Sequence, residues 1–228
     1  MVRTLLDEGA ITHRGEFHSY DGLFTFARPV QQRVPLTLGA MRGPRSFEPA
    51  GELSDGCRHA PSCTAEAYAY AVRHIEAGAE RAGKDWRSLG IGAWVVFATG
   101  PDSLRAKEAA RSMVGIYASS TPEEQLRRNG ADPAELKPAV EAIGAGGLAG
   151  GVELAPPEVA ERLSVAGTPA ECAEKIRTRI APSGVSHVIC ALTDRRPVRA
   201  FTGPELDGVA EVDDQPRLIS EHIVPALA

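Results

Sequence analysis

The apolar positions of the chain fall into two alternating kinds of segment. Val34-Pro35-Leu36-Thr37-Leu38-Gly39-Ala40 is a short run rich in β-formers, followed at once by Met41-Arg42-Gly43-Pro44-Arg45, a turn whose Pro is placed to open a helix. A weaker strand is expected at Gly56-Cys57-Arg58-His59-Ala60, and after it Tyr68, Ala71, Val72, Ile75, Ala79 and Ala82 recur on one helical face that Gly83 ends. Leu89 to Ala98 is nearly all apolar or small, as a parallel strand buried on both faces requires, and a helix over Ser103 to Ala118 follows it. Val185 to Leu192 is a further strand, and Leu218, Ile219, Ile223 and Val224 mark a last helix packed on the sheet. Phe17 to Tyr20 and Leu23 to Arg28 suggest a peripheral hairpin turning at Asp21-Gly22.

Three helix starts are written in one idiom. Thr121-Pro122-Glu123-Glu124, Asp132-Pro133-Ala134-Glu135 and Thr168-Pro169-Ala170-Glu171 each combine a capping side chain, a Pro at the first helical position and a Glu two residues after it. Pro49 falls where the helix after Pro44 should continue, which predicts a shortened or kinked helix. The stretch from Gly144 to Gly151 holds five glycines, with Pro156 and Pro157 beyond it, and is expected to form a mobile excursion over 144–157. Strands alternating with helices give an α/β fold with a parallel sheet and right-handed crossovers. A full eightfold barrel takes about 250 residues, but only four core strands are evident.

Composition narrows the chemistry. The chain has 228 residues, 43% of them hydrophobic and 24% charged, the balance of a globular protein with a sizeable core. Acidic residues outnumber basic ones by 30 to 25, which argues against general nucleic-acid binding. No window approaches the roughly 18 apolar residues of a membrane span, and the N-terminus lacks a secretory apolar run, so a cytoplasmic location and no membrane partner are expected. Cys57, Cys63, Cys172 and Cys190 form no disulfide framework. Cys57, His59 and Cys63 could supply three metal ligands, but no fourth is near and no metal is expected.

The strongest local chemistry is Gly39-Ala40-Met41-Arg42-Gly43-Pro44-Arg45. Small residues there let a ligand approach the backbone, and a helix N-terminus offers N–H groups to an anion beside Arg42 and Arg45. Gly56 is a weaker candidate for the same pocket. Among the histidines, His59 is best placed, at the C-terminal end of a strand, whereas His187 reads as a core residue; Trp94 suits either a pocket wall or the core. No Ser-His-Asp series, Walker loop or G-x-G-x-x-G fingerprint is present, and no catalytic side chain is assigned.

The order of these segments resembles the C-terminal half of the luciferase-like monooxygenase superfamily, especially its deazaflavin-dependent members similar to methylenetetrahydromethanopterin reductase. Val2 to Gly9 and His13 to Phe17 look like the end of the family's fourth barrel helix and the hairpin after it. Val34 to Pro44 resembles its fifth strand and Gly-Pro turn, and Ala50 to Gly56 a helix end and sixth strand. Ala166-Gly167-Thr168-Pro169 is similar to the start of the seventh helix, and His222-Ile223-Val224-Pro225 to the last helix.

The resemblance implies a TIM-type (β/α) barrel, here an incomplete one that begins after the fourth strand, forming a single domain over 1–228. Such a chain is either a truncated product or a minimal half-barrel. The family's turn holds the phosphate of its cofactor, which carries over to Gly39, Ala40, Met41, Arg42, Gly43 and Pro44. Coenzyme F420 is the expected cofactor, with FMN as alternative. The expected activity is hydride transfer between reduced cofactor and a small organic substrate. FMN-dependent monooxygenation, or a non-catalytic remnant that binds a phosphorylated ligand, are the alternatives. Open strand edges and an uncovered apolar inner face lead to the expectation of a homo-oligomer.

Overall fold

β5 (Gly90–Thr99) organises the sheet, because its ten-residue apolar run is long enough to pair with more than one strand along the same edge. The computed structural model describes residues 1–59, 63–146, 154–193 and 213–228. β3 (Thr37–Ala40), β4 (Gly56–His59), β5, β6 (Ser164–Gly167) and β7 (His187–Leu192) form one five-stranded parallel sheet. One edge of β5 pairs with β4 from Gly90 to Ala93 and then with β6 from Val96 to Thr99; the other pairs with β7 from Gly92 to Phe97. β3 lies outside β4. The sequence reading found four of these strands and missed β6, whose Ser-Val-Ala-Gly is too short to show a period.

The helices are α1 (Val2–Glu8), α2 (Pro44–Leu53), α3 (Ala65–Arg81), α4 (Ser103–Ala118), α5 (Glu123–Arg128) and α6 (Pro133–Gly144), then Pro157–Arg162. Pro169–Lys175 runs on through a π-helical Ile176–Ile180, and Gln215–Leu218 likewise through Ile219–Ile223 into Val224–Leu227. α2 is not shortened at Pro49: it continues to Leu53. Burial of Phe47, Ala50 and Gly51 against α3 outweighs the loss of one hydrogen bond. Of the three starts, Asp132 and Thr168 form complete capping boxes. Thr121 does not, because its hydroxyl donates to the Tyr117 carbonyl at the end of α4 (2.8 Å) and α5 begins uncapped.

The peripheral hairpin pairs β1 (Ala10–Arg14) with β2 (Ser19–Phe24). Its turn lies at Gly15 to His18, closed by Gly15 N–H to the His18 carbonyl (2.9 Å), not at Asp21-Gly22. Gly22 takes φ +62° inside β2 and donates its N–H to Thr12 Oγ1 (3.1 Å), opposite a register shift between Ile11 and His13. Half of the expected excursion over 144–157, residues 147–153, lies outside the described residues; Gly144 ends α6 and Pro157 opens the next helix.

Two faces of the sheet carry different loads. On one, Cys57, Ile91, Val95 and Phe97 are buried beneath α2, α3 and the helical segments that end at Ile180 and Leu227. α2 and α3 cross in backbone contact: a Cβ on Gly78 would lie 1.9 Å from the Glu48 carbonyl oxygen, and one on Gly51 2.0 Å from that of Ile75. On the other face, α4 and the helix Pro157–Arg162 pack Ala106, Ala109, Ala110, Val114 and Ala160 onto Val96, Ala98 and Ala166. An ion cluster ties this layer to the next. Buried Lys175 pairs with Glu161 (2.5 Å) and donates to the Ala166 carbonyl (2.6 Å), while Lys107 reaches Glu171 (3.1 Å).

The N-terminal half of that second face is not the apolar surface the sequence implied. Arg58 of β4 and His187 of β7 are exposed on it, flanking Gly92, where a Cβ would meet the His187 ring at 2.6 Å. His187 is therefore not a core residue; its Nδ1 lies 2.9 Å from Ser186 Oγ. Trp94 is half-buried and packs edge-on to Tyr117 of α4, with centroids 4.9 Å apart.

Candidate functional site

Parallel pairing sets the C-terminal ends of β3 and β4 side by side, Ala40 opposite His59, so the turn after β3 lies next to His59. Gly43 caps α2, and Pro44 takes the first helical position. Ser46 and Phe47 N–H both bond the Gly43 carbonyl (2.9 and 3.0 Å), and Pro44 has no N–H, which leaves Arg45 as the backbone donor of the first turn for an anion. The side chains of Arg42 and Arg45 are exposed over an open depression of about 520 Å³ that Gly43, Pro44 and Ser46 also line. Arg42 donates to the Ser120 carbonyl at 3.3 Å, tying this turn to the end of α4.

Beneath the turn the residues are aromatic and neutral. His59 is buried, stands edge-on to Phe47 (4.9 Å) and Tyr68 (5.4 Å), and places Nδ1 3.3 Å from the Ala40 carbonyl oxygen. Burial lowers its pKa to about 4, against a smaller upward push from that carbonyl, so the ring is neutral at pH 7. Beside it, the Arg128 guanidinium sits 3.7 Å above the Tyr70 ring and pairs with Glu124. Burial pushes all four thiols up, Cys57 and Cys190 to about 11 and Cys63 and Cys172 to about 12, so none is a ready nucleophile.

The structure brings Met41 and Arg42 together with His59, Tyr70 and Arg128 around one small crevice, while Gly43 and Pro44 line the open depression that Arg42 shares, and Ala40 pairs with His59 at the strand end. Gly39 lies on the open face, with no atom within 4 Å of the position a Cβ would take. Gly56 is not part of this group: it pairs with Thr37 at the opposite end of the strands, and its lack of a side chain accommodates the Gly90 carbonyl, 2.5 Å from where a Cβ would be. Arg128 and Tyr70 were not legible in the sequence, since an Arg-Arg pair ending a short helix reads as solvated charge. No group of metal-ligating side chains occurs among the described residues, Cys57, His59 and Cys63 included, and no described helix is long and apolar enough to cross a membrane.

The luciferase-like monooxygenase family matches residues 1–187. The 5,10-methylenetetrahydromethanopterin reductase of Methanolobus tindarius is 32% identical over 159 residues, 68% of this chain and 47% of that protein. The enzyme of the same name from Methanopyrus kandleri is 27% identical over 226 residues, 99% of this chain and 60% of that protein. The chain thus spans roughly half to three-fifths of these relatives. The solved structure of the coenzyme F420 dependent tetrahydromethanopterin reductase from Methanopyrus kandleri shares the fold with a TM-score of 0.82 at 24% identity, over 100% of this chain and 61% of its own. An F420-dependent secondary alcohol dehydrogenase follows at 0.69 and 20%, over 98% and 58%. The sheet and its helices are a portion of a TIM-type barrel, and the chain belongs to the luciferase-like monooxygenase family.

Proposed function

We propose that the chain carries the cofactor-phosphate side of an F420-dependent oxidoreductase that moves a hydride between the reduced deazaflavin and a small organic substrate. The observation that carries this reading is the 27% identity to the Methanopyrus kandleri reductase across nearly the whole chain, with the turn after β3 inside the matched segment. The residues present suit a phosphorylated ligand: two exposed arginines, one available backbone N–H and a side-chain-free Gly43 face the same depression. When bound, the deazaflavin supplies the hydride chemistry itself.

The protein's own groups then have a narrower task. Arg42 and Arg45 neutralise the phosphate, and the Arg45 N–H fixes its direction. Phe47, His59 and Tyr68 form a dry floor beneath. A His59 held neutral, together with protonated thiols, offers no acid or nucleophile at pH 7, which suits a site whose reactive atoms belong to the ligand.

Fluorescence titration of the chain with F420 and, separately, with FMN tests the reading. Saturable binding that prefers F420, weakened by about 1 to 3 kcal/mol in Arg42→Glu, is the expected result. Equal affinity of wild type and variant removes the turn from the site, and preference for FMN moves the chain to the monooxygenase branch. Binding without turnover of any offered substrate marks a non-catalytic ligand-binding chain.

A further inference from the structure

Tyr70 projects from α3 into the crevice beside the turn, where Met41, Arg42 and Arg128 also meet. Its hydroxyl oxygen lies next to Gly43, 3.9 Å from the position a Cβ there would take. Tyr68, two residues earlier on the same helix, is fully buried and donates its hydroxyl to the Trp94 carbonyl (3.2 Å). Tyr70 is half-buried, and its hydroxyl makes no hydrogen bond among the described residues. The ring, by contrast, is held firmly. Phe47 and His74 stand edge-on to it, with centroids 6.3 and 4.7 Å away, and the guanidinium carbons of Arg128 and Arg73 lie 3.7 and 5.9 Å from its centroid. A phenylalanine would satisfy all four of these contacts, so packing does not account for the hydroxyl.

Charge and geometry assign it a partner. Arg42, Arg45 and Arg73 form no ion pair among the described residues, so the surroundings of the hydroxyl are positive and unneutralised. Arg128 differs from them: its side chain is 18% exposed and pairs with Glu124, which fixes it over the ring. A cation held there draws electron density from the ring and makes the O–H a stronger donor. We propose that the Tyr70 hydroxyl donates a hydrogen bond to a phosphate oxygen of the ligand held at this turn, and that Arg128 acts as a positioning residue by stacking on the Tyr70 ring. The proposal rests on the phosphate reading of the turn, to which it adds a neutral donor from α3 beside the charged and backbone donors of Met41 to Arg45.

Inorganic phosphate, titrated into the full chain and followed by phosphorus NMR, tests this whichever cofactor is bound. Tyr70→Phe keeps the ring and should weaken phosphate binding about tenfold, the effect of losing one hydrogen bond to a charged acceptor. Tyr20→Phe, in the exposed hairpin, should leave it unchanged. Arg128→Met should weaken binding in the presence of Tyr70 and have little further effect in the Tyr70→Phe background, a coupling that loss of a distant charge would not produce. Unchanged unfolding midpoints show that the variants are folded. Weaker binding in Arg42→Glu with wild-type affinity in Tyr70→Phe overturns this proposal alone. No saturable binding by wild type, or no effect of either variant, overturns it together with the phosphate reading. Equal effects of Arg128→Met in both backgrounds overturn the positioning role.

Discussion

The two faces of β5 are built from one apolar run, yet they live in different surroundings. Ala93, Val95 and Phe97 point to the side where α3 and the helices ending at Ile180 and Leu227 close over them, and none has measurable exposure. Gly92 and Trp94 point to the other side, where the strands on either flank offer Arg58 and His187. An uninterrupted apolar strand therefore says that both faces avoid charge at its own positions, while its neighbours' residues at the same register say which face is covered.

Truncations across the sheet test this contrast most strongly. Phe97→Ala should lower the unfolding free energy by about 3 to 5 kcal/mol, because the large buried side chain leaves a cavity. Ile189→Ala, half-buried on the open face, should cost about 1 kcal/mol or less. Equal losses in urea denaturation would break the comparison. Next in size, Gly78→Ala pushes a methyl group into the Glu48 carbonyl and separates α2 from α3, with an expected loss of about 2 to 3 kcal/mol in the same assay.

Smaller effects sharpen how the covering helices are fixed. Thr168→Ala removes a working cap and should cost about 1 kcal/mol, whereas Thr121→Ala should stay within about 0.5 kcal/mol, since Thr121 caps nothing. The least change is expected from pH. Partial burial pushes the Glu171 carboxyl up, but hydrogen bonds from Ser103, the Thr168 backbone, Lys107 and the Thr168 hydroxyl outweigh this and hold it at about 2, below its ordinary 4.5. The stabilisation from Glu171 is complete above pH 4.5 and declines as pH falls from there toward 2. Denaturation midpoints measured over that window should show a flatter slope for Glu171→Gln than for wild type.

The sheet's long strands and most helices were legible because their patterns run for many residues, as at Ser103 to Ala118. What escaped was decided by partners distant in sequence. β6 exists because Ser164 to Gly167 meet the far end of β5, and nothing in four small residues signals that meeting. The Asp21-Gly22 pair carries an ordinary turn signature, yet the register of β1 makes it a bulge. Thr121 has the composition of a cap and is claimed by the preceding helix instead. At the candidate site the turn from Ala40 to Arg45 was readable locally, whereas Arg128 on Tyr70 arises only when α5 folds back on α3.

That β5 pairs with three strands sets a hierarchy of local opening. Among the described residues β3 bonds to β4 alone and can peel away with the rest of the ladder intact, but β5 cannot open without releasing β4, β6 and β7 together. Amide hydrogens from Ile91 to Ala98 should consequently exchange with solvent only through global unfolding, while those of Thr37 to Gly39 exchange by a cheaper, sub-global excursion. The turn at Met41 to Pro44 is carried by the strand that opens first. Its amide groups would then sample detached states far more often than the centre of the sheet, and an anion bound there would slow exchange along β3 before it raised the stability of the whole chain.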